Sequence, residues 1–133
     1  MTRYLLDTNI LVHLLRGRSD VARNLQRVGV RNCFMSEISM IELYYGAECS
    51  NNKEKNIRKV DELLKWFEPI PVTESIREIC RQKAQLRKTG QLIEDFDLMI
   101  GCTAKTENMV LVTENVSHLS RIEGVKIENW VER

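Results

Sequence analysis

Proline and glycine are scarce: two and six in 133 residues, with no Pro/Gly/Ser-rich linker, repeat or low-complexity tract. That scarcity excludes a string of units on flexible spacers, and the length matches one domain, here residues 1–133, able to bury a single core. Net charge is nearly missing as well, because 20 Lys and Arg stand against 19 Asp and Glu for a total of +1. No bulk field commits such a chain to nucleic acid or to a membrane surface. Long apolar runs are also lacking. After Arg3 the N-terminal apolar stretch is interrupted by Asp7 and Asn9, so it has neither the apolar core of a signal peptide nor the roughly 20-residue span of a membrane helix. A cytoplasmic protein with no membrane association is the expectation. The four cysteines (Cys33, Cys49, Cys80, Cys102) form no C-x-x-C pair and have no nearby histidine. A disulfide framework or zinc site is thereby disfavoured, leaving buried thiols in a reducing compartment.

What the chain does have is an ordinary globular balance, 43% hydrophobic and 29% charged, and an alternation of strand and helix patterns. Residues 4–7 read as a short strand buried on both faces. Asn9 is placed to cap a helix through about Leu15 that ends at Gly17, and Ser19 or Asp20 starts another reaching Val28. Residues 32–36 are a second strand, and Ser39 opens a helix to about Glu48. In residues 51–67, Ile57, Val60, Leu63, Leu64 and Phe67 recur at helical spacing. A strand follows at 68–72, then a helix from Thr73 to Lys88 with Ile76, Ile79, Cys80 and Lys83 on one stripe and Gly90 as its cap. Asp97–Thr106 is helical, 109–113 a strand and 125–130 a last one. Such alternation implies a three-layer α/β/α fold around a mostly parallel sheet of four or five strands.

In open sheets of this kind ligands sit beyond the carboxyl ends of the strands. Asp7 lies at the end of the first strand, Glu42 one turn into the helix after the second, Asp97 at the start of the helix before 109–113, and Asn115 just after that strand. Carboxylates gathered on one edge repel, and the cluster makes physical sense around a hard cation. Oxygen donors with few imidazoles or thiols suit Mg²⁺ or Mn²⁺. Each residue also has a plainer explanation. Ser39-x-x-Glu42 is a capping-box pattern, Glu94, Asp95 and Asp97 complement a helix start, and Asn115 is a common turn residue. Asp7 is hardest to explain that way, since Thr8 or Asn9 can already cap the first helix.

Taken together, "LLDTNILV" (5–12), "SEISMIELYYGA" (36–47), "IEDFDLMIGCTAKTENMVLVTEN" (93–115) and "HLSRIEGVKIENW" (118–130) resemble the PIN-domain family, and within it the VapC-type toxins of toxin–antitoxin pairs. The likeness spans nearly the whole chain, in order. Carried over residue by residue, Asp7, Glu42 and Asp97 match the family's three acids, and Asn115 its fourth position, where an aspartate is common. Thr113 matches the hydroxyl that orients the first acid, and Ser39 stands where Thr or Ser is usual. The resemblance implies a Mg²⁺- or Mn²⁺-dependent endoribonuclease, often homodimeric, neutralised by a small VapB-type antitoxin that occupies the active-site groove. Asp7 and Asp97 would ligate the ion, with Glu42 ligating or orienting the attacking water. Of the two histidines, His13 falls on the first helix, and His118 fits a structural or RNA-contacting role better than a catalytic one. RNA needs cations beside the acids, for which Arg16, Arg18 and Arg87 or Lys88 are the candidates. Tyr44 and Tyr45 could stack on bases or pack in a dimer.

Two other classes compete. A phosphoacceptor or phosphohydrolase on a similar sheet would want a second acid beside Asp7 and a lysine after a later strand, and "DTN" and "VTEN" supply neither. A catalytically weak PIN-like regulatory module binding an antitoxin-like partner is favoured only by the amide at Asn115.

Overall fold

The computed structural model describes all of residues 1–133. Tyr4–Leu6 forms β1, buried throughout, and strand alternation sends Tyr4 and Leu6 to one face and Leu5 to the other, into two separate clusters of core side chains. The chain continues through α1 (Thr8–Leu15), α2 (Ser19–Val28), β2 (Cys33–Ser36), α3 (Glu37–Glu48), α4 (Lys53–Leu64) and β3 (Glu68–Ile70). A 3-10 turn at Thr73–Ser75 leads into α5 (Ile76–Lys88), followed by α6 (Asp95–Thr106), β4 (Val110–Val112), α7 (Val116–Leu119) and β5 (Ile127–Glu128). The sheet has five strands in the order β3-β2-β1-β4-β5, and every pairing is parallel.

Helices α1, α2, α3 and α4 cover one face through Ile10, Leu11, Val21, Leu43, Val60 and Leu63. Helices α5, α6 and α7 cover the other through Leu86, Leu98, Ile100 and Leu119. The expected α/β/α layering is therefore present. From β1 the chain moves outward through β2 to β3, then crosses back to place β4 on β1's other side. That reversal opens a crevice at the carboxyl ends of β1 and β4, where open sheets bind ligands. Gly101 lets α6 lie close against α7 and the turn after it, since a Cβ there would collide with Ile122 Cδ1 and crowd Leu119.

Several boundaries differ from the sequence expectation, each for a local reason. The first helix is capped by Asp7, whose carboxylate accepts from Thr8 N at 2.8 Å, and not by Asn9. Helix α3 starts at Glu37 with Ser36 Oγ accepting from Ile38 N, so Ser39 is a fully buried residue of the first turn and no capping box involves Glu42. In α5 the buried positions are Gln82 and Leu86, while Ile76 is 50% exposed and Cys80 lies outside the core. Only Ile127–Glu128 of the last predicted strand pairs, and Trp130 and Val131 pack instead into the core beside Tyr4. All four cysteines are free thiols, with Cys33 and Cys102 buried but Cys49 and Cys80 exposed.

Candidate active site

Asp7 is 4% exposed at the end of β1, and both of its oxygens are engaged. Oδ1 caps α1 through Thr8 N, and Oδ2 accepts from Thr113 Oγ1 at 2.8 Å, across from the end of β4. Burial pushes its carboxyl above the usual aspartate range, and the Thr113 and Thr8 hydrogen bonds oppose that rise. The Thr113 hydroxyl in turn accepts from Asn115 N at 3.0 Å. One buried side chain thus fixes the first acid and the backbone that presents Asn115.

Glu42, one and a half turns into α3, is held from the β1 side. Thr8 Oγ1 donates to Glu42 Oε1 at 2.7 Å and lies 2.8 Å from Ser39 Oγ. Because the Thr8 proton goes to the carboxylate, Ser39 must be the donor to Thr8. The relay Ser39–Thr8–Glu42 therefore ties α3 to α1 at the crevice, and Glu42 Oε2 makes no hydrogen bond within the chain. Thr8 had counted in the sequence only as a possible cap; its role as tether depends on where α3 lies and left no local signal.

Asp97 sits in the first turn of α6, opposite these groups. Its proton affinity is raised from the ordinary 3.8 to about 6, first by burial, then by the negative charges of Asp7, Glu42 and Glu94, with His118 opposing. Four acids from β1, α3 and α6 therefore share one electrostatic environment. No Lys, Arg or His forms an ion pair with Asp7, Glu42, Glu94 or Asp97, whereas the neighbouring Asp95 pairs with Lys83 at 2.8 Å. The structure thus gives a physical difference between Asp97, unpaired and raised in proton affinity, and Asp95, which Lys83 neutralises. Glu94, which reads in the sequence as a helix-start charge, is the N-cap position of α6 and adds to the negative field on Asp97.

As they stand, no three acidic, imidazole or thiol groups are gathered tightly enough to ligate one ion. One oxygen of Glu42 is turned to Thr8. The donor set nevertheless fits a hard divalent ion: all oxygen, strongly negative, and held in no ion pair, with His118 offsetting only part of the charge on Asp97. Asn115 caps α7 by position, and its side-chain amide forms no hydrogen bond within the chain.

The cations fall into two groups. Arg16, at the end of α1, forms no ion pair and lines a groove shared with Thr8 and Glu42. Arg87 and Lys88 are exposed at the end of α5 and make no ion pair either. Arg18 is committed elsewhere: it donates to Asp20 and to the Glu132 carbonyl, pinning the C-terminal segment over α2. His13 is engaged by Glu114 at 2.9 Å. Tyr44 donates to Asp61, while Tyr45 is 71% exposed.

Comparison with known proteins places this arrangement. A ribonuclease VapC2 of Haemophilus influenzae is 32% identical over 133 residues, covering 98% of this chain and 100% of its own. A tRNA(fMet)-specific endonuclease VapC of Salmonella typhimurium is 28% identical over 98% of this chain and 99% of its own. Among solved structures, VapBC from Salmonella typhimurium bound to DNA superposes with a TM-score of 0.91 at 27% identity, covering 98% of this chain and 100% of that one. VapBC2 from Rickettsia felis, bound to a promoter DNA fragment, gives 0.89 at 31% identity with the same coverage. The PIN domain model matches residues 4–124. With its five-stranded parallel sheet and its acids on the crevice between β1 and β4, the chain belongs to the PIN-domain family.

Proposed function

We propose that residues 1–133 act as one unit, a divalent-metal-dependent endoribonuclease serving as the toxin of a type II toxin–antitoxin pair. The observation that carries this is the crevice of four acids with no basic partner: an arrangement that costs folding energy and fits a bound cation. Asp7, Asp97 and Glu42 would hold Mg²⁺ or Mn²⁺, and Asn115 would support it through its amide oxygen. When bound, such an ion lowers the pKa of water and offsets charge on a phosphoryl group during in-line displacement. The chain's own contribution is positional. Thr113 and the α1 N-terminus fix Asp7, Thr8 and Ser39 fix one oxygen of Glu42, and Glu42 Oε2 is left to orient water. The hydrolysis forms a phosphorus–oxygen bond to water and breaks the bond to the sugar oxygen, which leaves with a proton. Arg16, Arg87 and Lys88 are the cations left to hold flanking phosphates.

The partners named for the structural relatives extend to this chain as part of the same proposal. An apolar groove of about 370 Å³ between α1, α2 and α4, lined by Leu14, Leu25, Leu63 and the 65% exposed Trp66, is the surface a VapB-type antitoxin would cover. Ile41 and Tyr45, exposed on α3, would be buried in a homodimer. No helix is long and apolar enough to cross a membrane. A ribonuclease acting on cellular RNA would work in the cytoplasm. A catalytically weak regulatory module remains the second reading, favoured by Asn115 offering an amide where an acid would bind the ion more strongly. Induced expression of the chain and of Asp7→Ala, with sequencing of RNA ends, decides between them. Growth arrest and new ends with the unaltered chain alone are the expected result; equal arrest by Asp7→Ala at equal soluble level refutes the catalytic function.

A further inference from the structure

Beside the acids a second groove, of about 260 Å³, runs between α1, α3 and α4 and shares Thr8 and Glu42 with the crevice. Its walls are aliphatic, from Val12, Leu15, Leu43 and Val60, with Asn56, Lys59 and Arg16 on its rim. Three features ask for a ligand. First, Gly46 lines the groove from the last turn of α3, inside the helix, where glycine is a poor helix former, yet a Cβ there would meet nothing within 4 Å. No packing in the chain requires that glycine; what it preserves is open space. Second, Asn56 has a fixed orientation and unused hydrogen-bonding capacity. Ser50 Oγ gives its proton to the Ala47 carbonyl, so toward Asn56 it can only accept, and Asn56 Nδ2 donates to it at 2.9 Å. One N–H and the carbonyl oxygen of the amide are left free. Third, Arg16 and Lys59 are exposed and form no ion pair.

We propose that this groove is a nucleotide subsite of the ribonuclease site, holding the base next to the scissile phosphate. The proposal rests on the ribonuclease function above. The aliphatic walls take the faces of the base, and the free donor and acceptor of Asn56 match the paired donor and acceptor along a base edge, as Asn does on adenine. Arg16 and Lys59 hold the flanking phosphates, which the acids alone would repel. The volume falls below the roughly 300 Å³ at which sites for whole drug-sized ligands begin, which suits one nucleotide. A protein segment is better served by the neighbouring, more apolar groove at α2 and α4.

Two measurements on the full chain test this. The first is affinity for fluorescein-labelled tetranucleotides by anisotropy in EDTA. The second is the base distribution at RNA ends cut with manganese present. Gly46→Ala should raise the melting temperature, because Ala is the better helix former, and yet weaken oligonucleotide binding tenfold or more. Asn56→Asp, which exchanges the donor for a second acceptor, should change which base flanks the cut. Lys59→Gln should reduce the slope of log affinity against log salt by about one. Unchanged oligonucleotide affinity and an unchanged end profile in Gly46→Ala and Asn56→Asp overturn the subsite. Loss of antitoxin binding with the same end profile overturns it in favour of a protein occupant. If the unaltered chain cuts no RNA while the variants still lower tetranucleotide affinity, the ribonuclease function alone falls and the nucleotide site stands.

Discussion

Replacing Asp97 by Asn should stabilise the metal-free protein, and the sign of that effect separates a ligand from a helix-start residue. The rise of its proton affinity from 3.8 to about 6 sets a ceiling near 3 kcal/mol on the cost of its charge, at about 1.4 kcal/mol per tenfold change. The group is only part-buried, so solvent screening brings this to roughly 1–2 kcal/mol. Against it stands the loss of a favourable charge in the first turn of α6, about 0.5 kcal/mol. The net expectation at pH 7.5 in EDTA is a gain of about 1 kcal/mol, some 3–5 °C in melting temperature for a domain of this size. Because the folded-state value is raised, the penalty is complete above about pH 6, shrinks as pH falls, and is gone below about 3.8. The difference between variant and parent should therefore close over that window.

Manganese should reverse the order. Mass action stabilises a binding protein by about 2.7 kcal/mol at a hundred times the dissociation constant, and Asp97→Asn should gain far less. Asp95→Asn is the control from the same turn: its carboxylate pairs with Lys83, so it should keep the full metal response. A lower melting temperature for Asp97→Asn in EDTA, or an equal gain from manganese, would refute the acid-cluster account.

Thr113→Val should lower stability by about 1.5–3 kcal/mol, the range for a lost hydrogen bond to a buried charge, and Thr113→Ser should recover most of it, both read by urea melts. Glu78 is held near 2, chiefly by Arg81 and then by Lys105 and Gln82. Its stabilisation is present above the ordinary value of 4.5 and lost as pH falls toward 2, so Glu78→Gln should flatten the acid limb of a stability–pH curve. Tyr45→Arg should convert a dimer to a monomer by light scattering; a monomeric parent at micromolar concentration would contradict the α3 interface.

Elements dominated by period were legible in the chain, and elements decided by neighbours were not. The apolar run at 4–6 and the 3.6-residue spacing through Val60 and Leu63 reported β1 and α4 because each pattern buries itself in only one way. The stripe assigned to α5 was turned, since Gln82 is buried by bonding the Glu123 carbonyl, a partner 41 residues away. A buried amide looks polar in sequence whether or not it is satisfied. Asp7 could be picked out because an acid in an apolar run is rare, and Glu42 and Asp97 through their places in the chain and the family resemblance; Glu94 and Asp95 differ only in space, where Lys83 claims Asp95.

The helix starts show why local rules stop where they do. At residues 7–9 three side chains in succession can cap, and local propensity ranks Asp and Asn equally. What selects Asp7 is the sheet: Asp7 N donates to the Val112 carbonyl, so the residue is still tied to β4 as α1 begins. The same placement brings its second oxygen to Thr113. Capping and site-building are thus one event, since the acid that terminates β1 must also start α1 for its free edge to face the crevice. At Ser36 and Ser39 the logic repeats. Ser36 ends β2 and takes the cap, which releases Ser39 to donate to Thr8 and so to steady Glu42. Were β2 to run three residues further, Ser39 would take the cap and Glu42 would lose its tether. The register of β1 against β2 and β4, set by burial of Leu5 and Leu6 on opposite faces, is therefore what places the acids.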